Sequence, residues 1–307
     1  MPSDKPFVSF VIPTYNRAHL LPGAIDSVIN QESDSWELVI VDDDSSDDTS
    51  DVVNVYADSR IKYVRINKGE RGKARNTGVL HATGRYISFL DSDDTVTVDA
   101  VTRALHISSM HPEWVIFHFD YEVRDLYGGL ISSAENLPGV TNELLVRKNV
   151  IGCHGIFILR EILIDNPFSE SVELSGSEDY ELWLRLAARY KINHVSQVTA
   201  VLVEHGRRSM VTSGIDSIEK RIRLFIRLSL SDELVVDYLG SRVSEFVAWR
   251  FSYISLHAAL SNCRKKSLQY LIKSFYKYPR MIFSRRTLMI IYYLFAGKRS
   301  NDQMNPI

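Results

Sequence analysis

Short apolar runs alternate with amphipathic stretches along the first 90 residues of the chain. Runs of about five apolar, β-branched and aromatic residues are typical of buried strands. The stretch 20–31 repeats its apolar positions at helical spacing, and a second helix is expected to begin within 74–82, after a loop at 69–76. This alternation predicts an α/β fold with a mostly parallel sheet and helices on both faces. The predicted strands are 7–12, 36–41, 61–66 and 86–90.

The fourth predicted strand leads directly into a cluster of carboxylates, Asp91, Asp93 and Asp94. In open α/β sheets, ligands bind just outside the carboxyl ends of the strands. Three acids at such a point favour a hard divalent cation that also binds a phosphate. The alternative is a polar turn in which Asp94 or Thr95 caps the next helix.

Three of the four predicted strands end in loops rich in chemically active side chains. The first is followed by Thr14–Arg17, the second by Asp42–Asp48 and the fourth by the acidic cluster. Right-handed crossovers would bring these ends to one edge of the sheet. There, Tyr15 offers a ring for stacking on a base, and Asp42 can accept a hydrogen bond from a base N–H. The loops therefore fit a bound nucleoside diphosphate.

No glycine-rich phosphate loop accompanies this predicted site. The first strand is not followed by Gly-x-Gly-x-x-Gly, and the chain has no Gly-x-x-x-x-Gly-Lys-Ser/Thr. A dinucleotide Rossmann site and a P-loop are therefore disfavoured. Arg17 and Arg75 can instead meet a diphosphate in a bidentate way, together with a metal ion.

The net charge of −2 conceals an asymmetry along the 307 residues. Residues 1–214 contain 20 Lys and Arg against 31 Asp and Glu, whereas residues 215–307 contain 16 against 7. This contrast predicts two regions with different roles, an acidic one over 1–214 and a basic helical one over 215–307.

The C-terminal region has the pattern of a surface-binding helix. Residues 246–301 carry 11 Lys and Arg and no acid. Leu268, Leu271, Ile272 and Phe275 recur at helical spacing, which predicts a basic amphipathic helix on an anionic membrane surface. The apolar run 287–296 is too short to span a membrane. A helical cap on the catalytic domain and a nucleic-acid patch are the alternatives, but no nucleic-acid-binding module is recognisable.

Cysteine content and the N-terminal sequence predict a cytoplasmic location. Cys153 and Cys263 are far apart and form neither a metal-ligand spacing nor a disulfide framework. The first apolar run is too short for a signal peptide, and no stretch reaches the length of a membrane-spanning helix.

Five motifs in register make the chain resemble the inverting glycosyltransferases of family 2, which have the GT-A fold. They fall in the family's order and spacing and cover roughly the first 210 residues. The resemblance thus implies a catalytic domain over 1–214, with its nucleotide-binding part at about 1–110 and its acceptor part at about 111–214. One departure is Asp44, where a Gly or Asn is more usual. The motifs are Val11–Arg17, Val39–Thr49, Ala74–Gly78, Gly84–Asp94 (containing Asp-x-Asp) and Ser177–Leu184.

The resemblance implies a role for individual residues. Asp179 would be the general base, and Asp93 would ligate Mn²⁺ or Mg²⁺. Asp91 would reach the ribose or the metal, directly or through a water, and His205 is a further candidate metal ligand. The residues that would bind the UDP-sugar are Pro13, Tyr15, Arg17, Asp42, Arg75, Asp91 and Ser92.

The position of Asp179 is also consistent with a simpler role. It precedes an apolar helical pattern, so it would lie near a helix start, where a negative charge is favoured. An ordinary helix-terminal acid is therefore the alternative to a catalytic base.

The resemblance implies transfer of a hexose, with glucose or galactose favoured, from a UDP-sugar with inversion. The implied acceptor is a lipid-linked saccharide of the polyprenyl-diphosphate-GlcNAc type, in O-antigen, lipopolysaccharide or other surface polysaccharide synthesis. The enzyme would then work peripherally on the cytoplasmic face of the inner membrane. Transfer to a soluble or protein acceptor, and a non-catalytic nucleotide-sugar binding module, are the alternatives.

Overall fold

The first apolar run forms a central strand with a parallel neighbour on each side. In the computed structural model, which describes residues 5–133, 136–204 and 214–296, Val8 of this strand lies opposite both Trp36 and Tyr86. Trp36 belongs to the second strand and Tyr86 to the fourth, so the order along the sheet differs from the order along the chain. Such a parallel arrangement requires helical crossovers, which the intervening residues provide.

Nine strands and eleven α-helices form in the described residues. The strands are β1 (Val8–Thr14), β2 (Trp36–Asp42), β3 (Ile61–Arg65), β4 (Tyr86–Phe89), β5 (Thr95–Val96), β6 (Ile116–Asp125), β7 (Leu130–Ser132), β8 (Ile156–Leu159) and β9 (Asn193–Glu204). The helices are α1 (Leu21–Ile29), α2 (Thr49–Asn54), α3 (Glu70–His81), α4 (Ala100–Met110), α5 (Arg160–Asp165), α6 (Glu178–Ala187), α7 (Ile215–Ser231), α8 (Glu233–Leu239), α9 (Val243–Leu260), α10 (Arg264–Lys277) and α11 (Arg285–Ala296). Short 3₁₀ turns lie at Asn142–Val146, Val172–Leu174, Gly240–Arg242 and Pro279–Phe283.

The sheet has the order β3-β2-β1-β4-β8-β6-β9-β5, and β7 pairs with β6. The strands β1 to β4 are parallel, whereas β8 is antiparallel to both of its neighbours. Thr14 lies opposite Asp42, so β1 and β2 end at the same edge, where β4 also ends. The predicted α/β fold and the shared edge are both confirmed.

Both faces of the central strands are buried, which explains why their sequences are apolar almost without interruption. Phe10 and Ile12 point to one face and pack in the core with helix α1. Val11 points to the other face, beneath α3. A Cβ added at Gly78 of α3 would lie 2.2 Å from Val11 Cγ1, so this glycine allows the helix to approach β1 closely.

The chain divides into two compact units. One contains 1–142 and 150–206, and the other contains 143–149 and 207–307. The sequence placed the boundary at 214 and gave no sign that 143–149 joins the C-terminal helices. Within that unit, the buried guanidinium of Arg250 on α9 donates hydrogen bonds to the carbonyls of Leu145, Val146 and Arg147, which accounts for the grouping.

Two local predictions are wrong for physical reasons. Helix α3 begins at Glu70, inside the predicted loop, because the Asp43 carboxylate accepts hydrogen bonds from the N–H groups of Gly69 (2.7 Å) and Glu70 (2.9 Å). Neither Asp94 nor Thr95 caps the next helix. Instead, Thr95 enters β5, which pairs with β9, and the helix begins at Ala100.

The amphipathic face predicted for α10 is divided between two environments. Leu271 is buried and Phe275 partly buried, and both pack in a core cluster with Leu256 and Ile290. Leu268 and Ile272 are exposed. Among the helices in the described ranges, none has the length and apolar character needed to cross a membrane.

A buried carboxylate ties three strands of the sheet together. Glu37 of β2 is 5 % exposed and accepts hydrogen bonds from Ser9 Oγ of β1 (2.6 Å), Lys62 Nζ of β3 (2.7 Å) and the Thr83 amide just before β4 (2.5 Å). Burial alone would raise the pKa of Glu37, but these donors outweigh it and hold the pKa below its usual value.

Replacement of this carboxylate should destabilise the first unit. We expect Glu37→Gln to lower the free energy of unfolding by about 2–3 kcal/mol, because an amide cannot satisfy all of these donors and Lys62 loses its counter-ion. Urea unfolding at pH 7 measures the change. The pKa of Glu37 is lower in the folded protein than in the unfolded chain. The difference in the free energy of unfolding between wild type and variant should therefore shrink as the pH falls below about 4.5. Exposed Glu173→Gln is the control, and an equal effect there would contradict the argument.

Candidate active site

Three carboxylates converge where β4 ends. One oxygen from each of Asp91, Asp93 and Asp94 lies within 4.8 Å of the others. Arg17, from the loop after β1, has its Nη1 3.8 Å from Asp93 Oδ2, which connects that loop to the cluster. Asp94 is almost fully buried, and it accepts a hydrogen bond from the Val203 amide of β9 (3.1 Å).

The donor set of this cluster fits a divalent metal ion. Oxygen ligands within such a short span suit Mg²⁺ or Mn²⁺, which are hard cations that bind carboxylates. Asp91 and Asp93 are both partly exposed, so they can be reached from solvent. Asp94 was not predicted as a ligand, yet its carboxylate shares the cluster. His205, the other predicted candidate, lies outside the described residues.

The guanidinium of Arg75 lies at the centre of the neighbouring cluster. It is 2 % exposed, and it donates from Nη1 to Glu178 Oε1 (2.8 Å) and from Nη2 to Asp91 Oδ1 (3.0 Å). Arg75 is on α3, Asp91 follows β4 and Glu178 begins α6, so one side chain joins three elements. Removal of one partner from a buried ion pair of this kind typically costs about 3–5 kcal/mol.

The same arginine controls the ionisation of its partners. Burial alone would raise the pKa of Asp91, but the charges of Arg75 and Arg71 overcome it and lower the pKa to about 2. Burial likewise opposes ionisation of Glu178, and Arg75 again outweighs it, so the pKa of Glu178 is also lowered. Both carboxylates therefore stay negative at neutral pH.

Asp179 is in a different electrostatic environment, although it directly follows Glu178. Burial and the negative charge of Glu178 raise the pKa of Asp179 to about 6, against the opposing effect of Arg75. Asp179 lies in the first turn of α6, as the sequence predicts. A carboxyl group whose pKa is near neutrality can both hold and release a proton under physiological conditions, which is what a general base requires.

The loops after β1 and β2 form the other side of the edge. Pro13 is buried in β1, and Tyr15 is 42 % exposed with the Lys68 ammonium 4.4 Å from its ring centroid. Asp42 is fully buried, and its carboxylate accepts hydrogen bonds from the Ser45 amide (2.8 Å) and the Tyr63 hydroxyl (2.5 Å). Tyr63 and Ser45 therefore fix the orientation of Asp42, which the sequence analysis did not anticipate.

The unusual aspartate in this loop occupies a left-handed turn. Asp44 has φ +69°, a conformation that Gly adopts freely and Asn tolerates well. The preference for Gly or Asn at this position thus has a backbone cause. In this chain the Asp44 carboxylate pairs with Arg65 at 3.1 Å, so part of the added negative charge is neutralised.

The structure brings most of the sequence-predicted residues to one edge, but it adds partners that the sequence did not reveal. Ser92, a predicted site residue that stands between Asp91 and Asp93 in the sequence, is buried. His154 Nδ1 lies 3.7 Å from Asp94, and its glycine-flanked position was the only sequence signal for it. In the sequence, Glu178 stood out only because it directly precedes Asp179. The sequence separation of 103 between it and Arg75 explains why their pairing could not be foreseen.

Comparison with solved structures identifies this architecture as a GT-A fold. Residues 1–349 of TarS from S. aureus, solved with UDP-GlcNAc, superimpose with a TM-score of 0.68, covering 94% of this chain and 88% of that one at 18% identity. A mannosyltransferase from Pyrobaculum calidifontis, solved with GDP-Man and Mn²⁺, superimposes with a TM-score of 0.55 at 18% identity, covering 96% of this chain and 87% of that one. At these identities the likeness concerns the fold.

Sequence comparison assigns the family. The profile of "Glycosyl transferase family 2" matches residues 9–162, and the chain belongs to this family. A relative in Escherichia coli, the UDP-Glc:α-D-GlcNAc-diphosphoundecaprenol β-1,3-glucosyltransferase WfgD, is 35% identical over 201 residues. That match covers 64% of this chain and 74% of WfgD. The predicted family and fold are therefore confirmed.

The unequal ionisation of the Glu178–Asp179 pair can be measured directly. In protein without added metal, we expect the Asp179 side-chain carboxyl to titrate near pH 6 by carbon-detected NMR. Glu178→Gln should lower that pKa by a unit or more, because it removes the repelling charge and leaves Arg75 to act on Asp179. Glu181→Gln, in the same turn, is the control. An Asp179 pKa near 4 in the wild type would contradict this description.

Proposed function

We propose that this protein is an inverting glycosyltransferase that moves a hexose from a UDP-sugar to a hydroxyl of a lipid-linked saccharide. The observation that carries the proposal is the partly exposed Asp179, with its raised pKa, beside a three-aspartate cluster at the edge of a GT-A sheet. Such a pairing supplies a proton acceptor and a diphosphate-binding centre in one site. A structural protein gains nothing from this costly concentration of like charges.

Asp179 would act as the general base. With a pKa of about 6, it is roughly nine-tenths ionised at pH 7 and can accept the proton of the acceptor hydroxyl. The acceptor oxygen then attacks the anomeric carbon as the bond from that carbon to the UDP oxygen breaks. One displacement inverts the configuration. A single base is enough, whereas glycoside hydrolysis also needs a proton donor.

The acidic cluster and the arginines would receive the diphosphate. Asp91 and Asp93, joined by Asp94, are the residues that would hold a divalent cation, and His205 remains a predicted candidate. When bound, such a cation supplies positive charge that stabilises the departing UDP. Arg17 already approaches Asp93, and its guanidinium suits a phosphate oxygen. Arg75 already binds Glu178 and Asp91. We therefore propose that it holds those two carboxylates in place and that its positive charge attracts the diphosphate.

The uracil would lie over the loops after β1 and β2. The half-exposed ring of Tyr15 can stack on a base, and Pro13 would form part of the floor beneath it. Asp42 would accept a hydrogen bond from the uracil N–H, since each carboxylate oxygen can accept more than the one bond it makes to Ser45 or Tyr63. Because Asp42 is fully buried, its carboxylate would have to become accessible when the base binds. Ser92 would contact the UDP-sugar between Asp91 and Asp93.

We propose the class of sugar donor and the class of acceptor from the chemistry of the site together with the similarity to WfgD. WfgD, of which this chain covers 74%, is named for transfer of glucose to GlcNAc-diphosphoundecaprenol. We therefore propose glucose or galactose as the hexose and a polyprenyl-diphosphate-GlcNAc acceptor in surface polysaccharide synthesis. The second candidate is transfer to a soluble or protein acceptor.

Peripheral attachment to a membrane would suit a lipid-linked acceptor. Nine of the 23 exposed large apolar side chains in the described residues lie within 268–295, on α10, α11 and the turn between them. Exposed apolar residues in such a concentration mark an interaction surface, and the basic residues around them favour an anionic leaflet. We propose that this surface rests on the cytoplasmic face of the inner membrane.

A donor screen tests the reaction. Purified protein with Mn²⁺ would receive UDP-glucose, UDP-galactose, UDP-GlcNAc or UDP-GalNAc, with a short-chain lipid-diphosphate-GlcNAc acceptor, while UDP release is followed. We expect release with UDP-glucose or UDP-galactose that requires the acceptor and is abolished by chelation. Metal-dependent UDP binding without release would favour a binding module or another acceptor. Absence of UDP binding would overturn the proposal.

Two variants separate the base from the diphosphate site. Asp179→Asn should reduce kcat by about 10²- to 10⁴-fold and leave UDP affinity nearly unchanged, because the amide keeps the shape but cannot accept the proton. Asp93→Ala should lower UDP affinity in Mn²⁺ to the value found with EDTA. Exposed Asp165→Asn is the control. Equal losses of UDP affinity in both site variants would contradict these separate roles.

The apolar surface of α10 and α11 can be tested without any substrate. Phe283→Ser/Leu288→Ser should weaken binding to anionic vesicles by at least about tenfold, because two exposed side chains would no longer enter the membrane. Leu126→Ser/Tyr127→Ser removes similarly exposed apolar residues, 63% and 97% exposed, from the first unit and serves as the control. Sedimentation with vesicles measures both. Equal effects of the two double variants would argue against this surface.

A further inference from the structure

A cleft of about 590 Å³ opens on the C-terminal helical unit, between α7 and α10. Four of its nine lining residues are bases: Arg223, Arg227, Lys273 and Lys277. No acid lines it among the described residues. Its size falls within the range of small-molecule sites, and its charge favours an anion.

The bases around this cleft are not all committed to other partners. Arg223 donates weakly to the Tyr270 hydroxyl and lies 3.8 Å from Glu219 on its own helix. Glu219 in turn accepts hydrogen bonds from Tyr270 (2.6 Å) and is held by Lys266 (2.8 Å), so its charge is largely neutralised. Arg227 and Lys277 are exposed and, within the described residues, form no ion pair or hydrogen bond. Their charges remain available for a ligand.

The rest of the cleft wall is apolar and leads to the exposed surface of α10. Phe251 forms part of the inner wall. Ile272 and Tyr276 form the outer wall and are 58 % and 86 % exposed, and they are two of the nine side chains assigned above to the membrane surface. An anionic group in the cleft would thus lie beside a surface suited to hydrocarbon.

We propose that this cleft binds the phosphate head group of an anionic membrane lipid, whose acyl chains leave the cleft along Ile272 and Tyr276. The inference rests on the proposed membrane attachment and makes it specific. The cleft would hold one class of lipid, in addition to the general electrostatic attraction between the basic helices and an anionic membrane. The uncommitted cations match the phosphate head group of such a lipid, and the adjoining exposed apolar stripe matches its acyl chains.

Nucleic acid is the competing polyanion, but it fits these observations less well. A phosphodiester backbone would engage the bases, yet it would leave Ile272, Tyr276 and the other exposed apolar residues of α10 and α11 in water. Burial of those side chains is favourable only if the partner also supplies an apolar phase. The lipid satisfies both requirements.

The test compares two double variants that remove the same charge from the same part of the chain. Arg227→Gln/Lys277→Gln empties the cleft of its uncommitted cations, whereas Arg264→Gln/Lys265→Gln removes two exposed bases at the start of α10, outside the cleft. The first should weaken binding to phosphatidylglycerol vesicles by roughly 20-fold, and the second by no more than about threefold. Neither should alter binding to phosphatidylcholine vesicles.

A second measurement distinguishes the head-group site from general electrostatic attraction. Monomeric dihexanoyl-phosphatidylglycerol, below its critical micelle concentration, should shift the NMR signals of the Phe251 ring and the Lys273 amide, and the cleft variant should lose this shift. Inorganic phosphate at equal concentration should give a much smaller shift. UDP release with a short-chain acceptor in solution should be unchanged in both variants.

Several results would overturn the proposal and leave the membrane surface intact. One is equal weakening by the two double variants; another is a shift with inorganic phosphate as large as that with the lipid. Tighter binding to duplex DNA than to phosphatidylglycerol vesicles would assign the cleft to nucleic acid instead. If Phe283→Ser/Leu288→Ser also leaves vesicle binding unchanged, membrane attachment fails together with the cleft.

Discussion

The buried guanidinium of Arg75 is the interaction on which the acidic edge depends. Many carboxylates meet where the parallel strands end, and their mutual repulsion would oppose folding if nothing positive lay among them. Arg75 is buried, and it contacts the buried Glu178 at 2.8 Å and the partly exposed Asp91 at 3.0 Å. Coulombic attraction is much stronger in such surroundings than at the surface. The fold can therefore concentrate carboxylates at the edge where the proposed function places a divalent cation.

The same interaction accounts for the contrast between two neighbouring acids. Glu178 makes the direct ion pair and stays ionised, and its charge then raises the pKa of Asp179. Sequence neighbours on a helix point in different directions, so adjacent positions can have unlike electrostatic surroundings. One residue satisfies the arginine and the next retains a higher proton affinity. In the proposed reaction, Asp179 could therefore serve as the base without a histidine.

The sequence predicted the parts of this arrangement that depend on local pattern. Apolar runs located the central strands, and the acids after Leu90 indicated the edge at which they end. It did not predict contacts across long separations. The start of α3 depends on Asp43, 26 residues away, and the pairing of Arg75 with Glu178 spans 103 residues. The local sequence predicts a first residue for α3 that is too late in the chain, because the carboxylate that accepts hydrogen bonds from the start of this helix belongs to another loop.

Helix α10 shows what hydrophobic periodicity along the sequence cannot predict. Leu268, Leu271, Ile272 and Phe275 have helical spacing, but spacing identifies a face and not its neighbour. In the structure α9 and α11 cover Leu271 and Phe275, so those two residues stabilise the helical unit and are not available to a membrane. Leu268, Ile272 and Tyr276 form a second stripe that no described part of the chain covers. An exposed apolar stripe lowers the solubility of the protein unless a partner covers it. The bases beside this stripe are consistent with the anionic lipid that we propose as that partner.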